Sequence, residues 1–179
     1  MSIHRIFKQI CAFGVLALAV AAPSFSQERG AATVEEGERI VKLASEADKD
    51  PLKVMSSADG RWFMKWTDEV PDYMFGPDSG AFWFESGAAK GDMKRVVRFH
   101  HTLSTAAFQL KNKIKDPQKN KADFEAKTLA GVEGLLRAYQ SLLVKNPDVR
   151  SPALDEAIVV RDKGGLAEFV KKLPAMPGR

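Results

Sequence analysis

Two apolar stripes of helical period, separated only by residues 116–120, constrain this chain more than any other feature of its sequence. Val96, His100, Leu103, Ala107, Leu110 and Ile114 recur in alternating steps of four and three. That spacing lays side chains along one face of an α-helix. Asp116-Pro117 stops the run, because proline lacks the backbone donor and crowds the preceding turn. Asn120, with Asp123 three residues on, opens the next helix. Leu129, Val132, Leu136, Tyr139 and Leu143 then continue the stripe as far as Asn146-Pro147. So short a connection predicts antiparallel packing. The pattern therefore predicts a helical hairpin over 92–145, with arms on the order of 36 Å long at the α-helical rise.

The remaining segments predict further helices. Thr33 and Glu36 form a capping-box pattern ahead of Ile40, Val41, Ala44 and Ala47, so 34–48 reads as helix. Ser151-Pro152 starts a helix that Gly164-Gly165 closes, and Leu166–Leu173 makes a short last one. Residues 51–84 are ambiguous. Trp62, Trp66 and Val70 suit a helix over 61–69, which is favoured. Asp59-Gly60 would equally suit a hairpin turn, and a second hairpin could pair Tyr73–Phe75 with Phe82–Phe84. The expected fold is mainly α: a single-domain bundle of about six helices around the long hairpin, with a short β-hairpin possible in 51–84.

The N-terminus has the pattern of an export signal. Arg5 and Lys8 precede an apolar run from Ile10 to Ala22, and Ser24-Phe25-Ser26 places small residues before a cut ahead of Gln27. The run is shorter than the roughly 20 residues of a spanning helix. The expected organisation is a signal peptide over 1–26, a flexible start over 27–32, a helical domain over 33–173 and a tail over 174–179. Cleavage would remove Cys11, the only cysteine, and two positive charges from a formal net charge of +4. The mature chain would then have no thiol chemistry and no disulfide, and would depend on its apolar core for stability. No later segment is apolar enough to span a membrane.

Three short stretches resemble known motifs. Gly87–Val97 is similar to part of an ankyrin repeat, without the Thr-Pro-Leu-His opening or a repeat period. Tyr139–Asp148 resembles the end of a tetratricopeptide repeat, without the upstream Trp and Gly. Phe84-Glu85-Ser86 resembles the catalytic Glu-Ser of lytic transglycosylases, without the Gly-rich motif that follows it there. No phosphate loop, dinucleotide fingerprint, zinc-protease or calcium-loop motif is present, and no motif implies a cofactor.

Candidate site residues fall into two groups. Trp62, Trp66, Tyr73 and Trp83 belong to a dense aromatic stretch that suits either core or a ligand-stacking groove. His100 and His101 suit metal binding or acid–base chemistry. As neighbours on a helix they point about 100° apart, so a site would need a carboxylate from another element, such as Asp72, Asp78, Glu85 or Glu133. Glu133, near the stripe of the second long helix, could reach either histidine. Charge is uneven: Lys90–Ala122 is basic and residues 59–78 are acidic. The leading expectation is an exported, periplasmic or extracellular, non-enzymatic module. It would bind a protein, glycan or lipid of the cell envelope through residues 61–84; nucleic acid is not expected as a partner. The alternatives are a small enzyme using His100 or His101 with a carboxylate such as Glu133, and a structural envelope component.

Overall fold

The computed structural model describes residues 29–174. The signal peptide expected over 1–26 lies outside the described residues, as does most of the C-terminal tail. Eight α-helices follow one another: α1 Val34–Ala47, α2 Pro51–Ser56, α3 Ala58–Glu69, α4 Ser79–Trp83, α5 Gly91–Asn112, α6 Lys121–Lys145, α7 Pro152–Asp162 and α8 Leu166–Lys171. A wider helical turn, Phe84–Ala88, extends α4, and short tight turns precede α6 and α7. Among the described residues there is no strand, and no helix is long and apolar enough to cross a membrane.

The expected hairpin of α5 and α6 forms the spine, and α5 is buried on two sides. Val96 and Val97 pack with Val132, Leu135, Leu136 and Tyr139 of α6, and with Leu154, Ala157, Leu166 and Val170 of α7 and α8. Phe99, Leu103 and Ala106 pack instead with Ile40, Leu43, Phe63 and Trp66 of α1 and α3. One helix thus belongs to both halves of the core. Tyr139 fastens α7 by accepting from the Ser151 amide at 2.8 Å and donating to Asp155 Oδ1 at 2.8 Å.

Two short helices among the described residues, α2 and α4, join the roughly six expected, for physical reasons. Asp50-Pro51 does end α1, but the same pair starts α2: Asp50 caps the Lys53 amide, and Pro51 sits where its missing donor costs nothing. The hairpin considered at Asp59-Gly60 does not form. Ser57 caps α3 at the Gly60 amide, and a Cβ on Gly60 would lie 2.2 Å from the Val54 carbonyl oxygen. Glycine serves a close approach there, not a β-turn. Phe82 and Trp83 are helical, so the second hairpin is absent too. The long helix α5 stops short of Asp116-Pro117, with Lys113 in the left-handed region at φ 57°. Ahead of α1, Arg29 pairs with Glu36 at 2.7 Å, and the Ala32 amide donates to Asp72 at 2.9 Å.

The two long helices approach closely where α6 carries Gly131 and Gly134. A Cβ on Gly134 would lie 1.8 Å from Ser104 Oγ, and one on Gly131 would lie 2.6 Å from His101 Nε2. A side chain at Gly131 would displace the His101 and Thr105 side chains, and one at Gly134 would also meet Ser104 Cβ at 2.4 Å, so that the helices themselves must give. Gly134→Ala is therefore expected to destabilise the protein by about 1–3 kcal/mol in urea unfolding. Adding Ser104→Gly, which removes the obstructing atoms, should recover part of that loss.

Candidate functional site

The close approach of α5 and α6 surrounds a buried charged cluster. Asp78 caps α4 by accepting from the Ala81 amide at 2.9 Å. Its Oδ1 also lies 3.2 Å from His101 Nε2, and its Oδ2 lies 3.2 Å from Lys127 Nζ. Neither of these two contacts has the alignment of a full hydrogen bond, and the Lys127 ammonium sets its charge directly against the Asp78 carboxylate. Lys127 donates to the Gly76 carbonyl at 2.8 Å. Asp78 and Lys127 are each 1 % exposed and His101 is 5 % exposed. Burial works to raise the Asp78 pKa. His101, the Lys127 ammonium and the Ala81 amide outweigh it and hold the carboxyl far below the usual range.

His100 faces the other side of α5. Its Nδ1 lies 3.9 Å from Asp48 Oδ1, and Asp48 Oδ2 lies 2.9 Å from Arg137 Nε. Burial holds the His100 pKa below the usual histidine range, against the Ala47 carbonyl and the Asp48 carboxylate. Glu133 pairs with Arg137 at 3.7 Å. It reaches His100 only through Arg137 and Asp48. The two histidines therefore belong to separate clusters, as expected for neighbours on a helix. Among the described residues no three His, Cys, Asp or Glu side chains are grouped to hold a metal ion.

The aromatic candidates are spread through the fold. Trp66 is 1 % exposed and sits between Phe63 and Phe75 in the core. Trp62 is half-buried, with the Arg39 guanidinium 3.8 Å from its ring centre. Tyr73 stacks on Phe75 at 6.0 Å. Trp62, Trp66, Phe75 and Tyr73 thus run as one file from surface to core to surface. Trp83 stands apart, edge-on to Phe169 of α8. The acidic and basic segments meet through Asp72 with Lys115; Asp78 pairs instead with Lys127, beyond the basic stretch.

Two clefts open on this framework. One, of about 640 Å³, lies between α6 and α8, with Ser79 at its edge and Phe124, Thr128, Leu129 and Val170 on its walls. The other, of about 680 Å³, lies between α1 and the C-terminal end of α5. Val34, Val41, Leu110 and Tyr73 supply apolar wall, and Lys42, Lys111, Lys113 and Lys115 stand around it with Glu38. Gly37 faces Leu110 across this cleft. A Cβ there would meet the nearest Leu110 carbon at 3.8 Å, an ordinary contact. Packing therefore does not require a glycine at this helical position, where it costs about 1 kcal/mol relative to alanine.

Lys127 was not a candidate on sequence, though it occurs one turn before Gly131 on the face that meets α5. A lysine on an otherwise buried face is the signal that could have found it. The buried cluster gives a direct test. Lys127→Met would leave the Asp78 charge uncompensated and is expected to cost about 3–5 kcal/mol in chemical unfolding. Asp78→Asn with Lys127→Met should cost less than the sum of the single losses, because the two groups act as one unit.

The chain matches no known protein-family model, no curated protein and no solved structure, so any functional reading rests on the geometry of these residues.

Proposed function

We propose that this protein is an exported, non-enzymatic binding module of the cell envelope, with its ligand seated in the cleft between α1 and α5. The observation that carries this reading is the cleft of about 680 Å³ between α1 and the C-terminal end of α5. The cleft is within the size range of small-ligand sites, roughly 300–1,000 Å³. It is walled by apolar side chains and includes Tyr73 from the aromatic stretch that the sequence marked for binding. Export is supported by the basic, apolar and small-residue order of residues 1–26.

A second reading, acid–base catalysis, has one observation in its favour: the 3.2 Å approach of Asp78 to His101. An aspartate beside an imidazole can orient it and stabilise its charged form. Burial weighs against this use, since a substrate would have to displace protein to reach the pair.

The binding reading is tested with a neutral apolar fluorophore, N-phenyl-1-naphthylamine. The wild type should bind it with enhanced fluorescence. Gly37→Phe, which fills the cleft, should weaken binding at least about tenfold, the loss expected when an apolar site is occluded. Trp62→Ala, outside the cleft, should leave binding unchanged. Equal binding by wild type and Gly37→Phe would place the ligand elsewhere.

A further inference from the structure

We infer that the occupant of the α1–α5 cleft is a single-chain anionic amphiphile, a long-chain carboxylate such as a fatty acid. This inference rests on the binding reading and adds the chemistry of the ligand. Two features of the cleft, its wall and its rim, call for different parts of one molecule.

The wall calls for a hydrocarbon chain. Val34 is 73 % exposed and Val41 is 38 % exposed, and both line the cleft with Leu110 and Tyr73. Branched aliphatic side chains left in water beside an open space are stabilised when apolar matter covers them.

The rim calls for a negative head. Four lysines border the cleft against one acid, Glu38. Lys115 is committed to Asp72 at 2.8 Å, and Lys42 faces Glu46 at 3.8 Å. Lys111 and Lys113 have no carboxylate within ion-pair distance among the described residues. They stand at the end of α5, where the left-handed turn at Lys113 closes the helix. An anion placed there meets two uncommitted ammonium groups at the mouth of an apolar slot.

The same charges argue against other occupants. The apolar run Ile10–Ala22 of this chain is preceded by Arg5 and Lys8, and a basic segment is repelled by a basic rim. A neutral apolar chain would fill the wall and leave the rim without a counter-charge.

The test uses the full-length protein, delipidated, with N-phenyl-1-naphthylamine displaced by palmitate, hexadecanol or hexadecyltrimethylammonium at low ionic strength, below micelle formation. Palmitate is expected to bind about five- to tenfold more tightly than hexadecanol, the margin that two partly exposed ion pairs supply, and the cationic chain more weakly than either. Lys111→Ala with Lys113→Ala should bring palmitate down to the hexadecanol level. Lys163→Ala with Lys172→Ala, remote on α7–α8, should not change it. If the fluorophore binds and all three chains displace it equally, the anionic ligand is wrong and the binding module stands. If the wild type binds neither fluorophore nor chain, both fail. If palmitate binds only after proteolytic removal of the residues preceding Arg29, the leader is the occupant and the inference is overturned.

Discussion

The structure depends on one close contact, the approach of α6 to α5 at Gly131 and Gly134. Because those positions carry no Cβ, Ser104, Thr105 and His101 can lie directly against the facing backbone. That approach places His101 where Asp78 can reach it, and Lys127 completes the charge balance from one turn earlier on α6. A buried ion pair is poor evidence of net stability, since desolvation offsets much of its attraction. Its value here lies in register. Sliding α6 along α5 by one turn would strand a carboxylate and an ammonium in the interior.

The same charged layer fixes the irregular segment between α3 and α4. Residues 71–78 cross from one cleft to the other with little regular structure of their own. Their attachments are specific: the Met74 amide to the Lys115 carbonyl at 2.8 Å, the Gln109 side chain to the Met74 carbonyl at 3.1 Å, and Lys127 to the Gly76 carbonyl at 2.8 Å. Tyr73 at one end lines the α1–α5 cleft, and Ser79, next to Asp78, borders the α6–α8 cleft. Through Gly76 the charge cluster helps to hold the segment that carries Tyr73, one wall of the α1–α5 cleft.

The helical hairpin was legible because its signal is local. A stripe in steps of three and four, with Pro117 and Pro147 beyond its ends, specifies helix without reference to the rest of the chain. Residues 51–84 were legible only in part: the favoured helix over 61–69 falls within α3, but the aromatics on either side suit the core of a helical or a β arrangement equally well. Gly60 suited a turn in the less favoured hairpin reading, yet what requires it is the Val54 carbonyl, a neighbour that only the folded chain supplies. The site was legible in part. His101 and Asp78 were both candidates, but nothing in their spacing of 23 residues joins them, and Lys127 had the composition of a surface residue. The α1–α5 cleft had no signature at all. It is a space between helices, and only the folded chain brings its walls together.

The central claim is that the buried charges lock residues 71–83 onto the hairpin, and native-state hydrogen exchange tests it most directly. The Met74, Ala81 and Phe82 amides are bonded to the Lys115 carbonyl, to Asp78 Oδ1 and to the Asp78 carbonyl. In the wild type they should be protected to within about tenfold of amides in the middle of α6, as members of one cooperative unit. In Lys127→Met they should lose protection while α6 still keeps its own. Free exchange at these three amides in the wild type, or unchanged protection in Lys127→Met, would contradict the account.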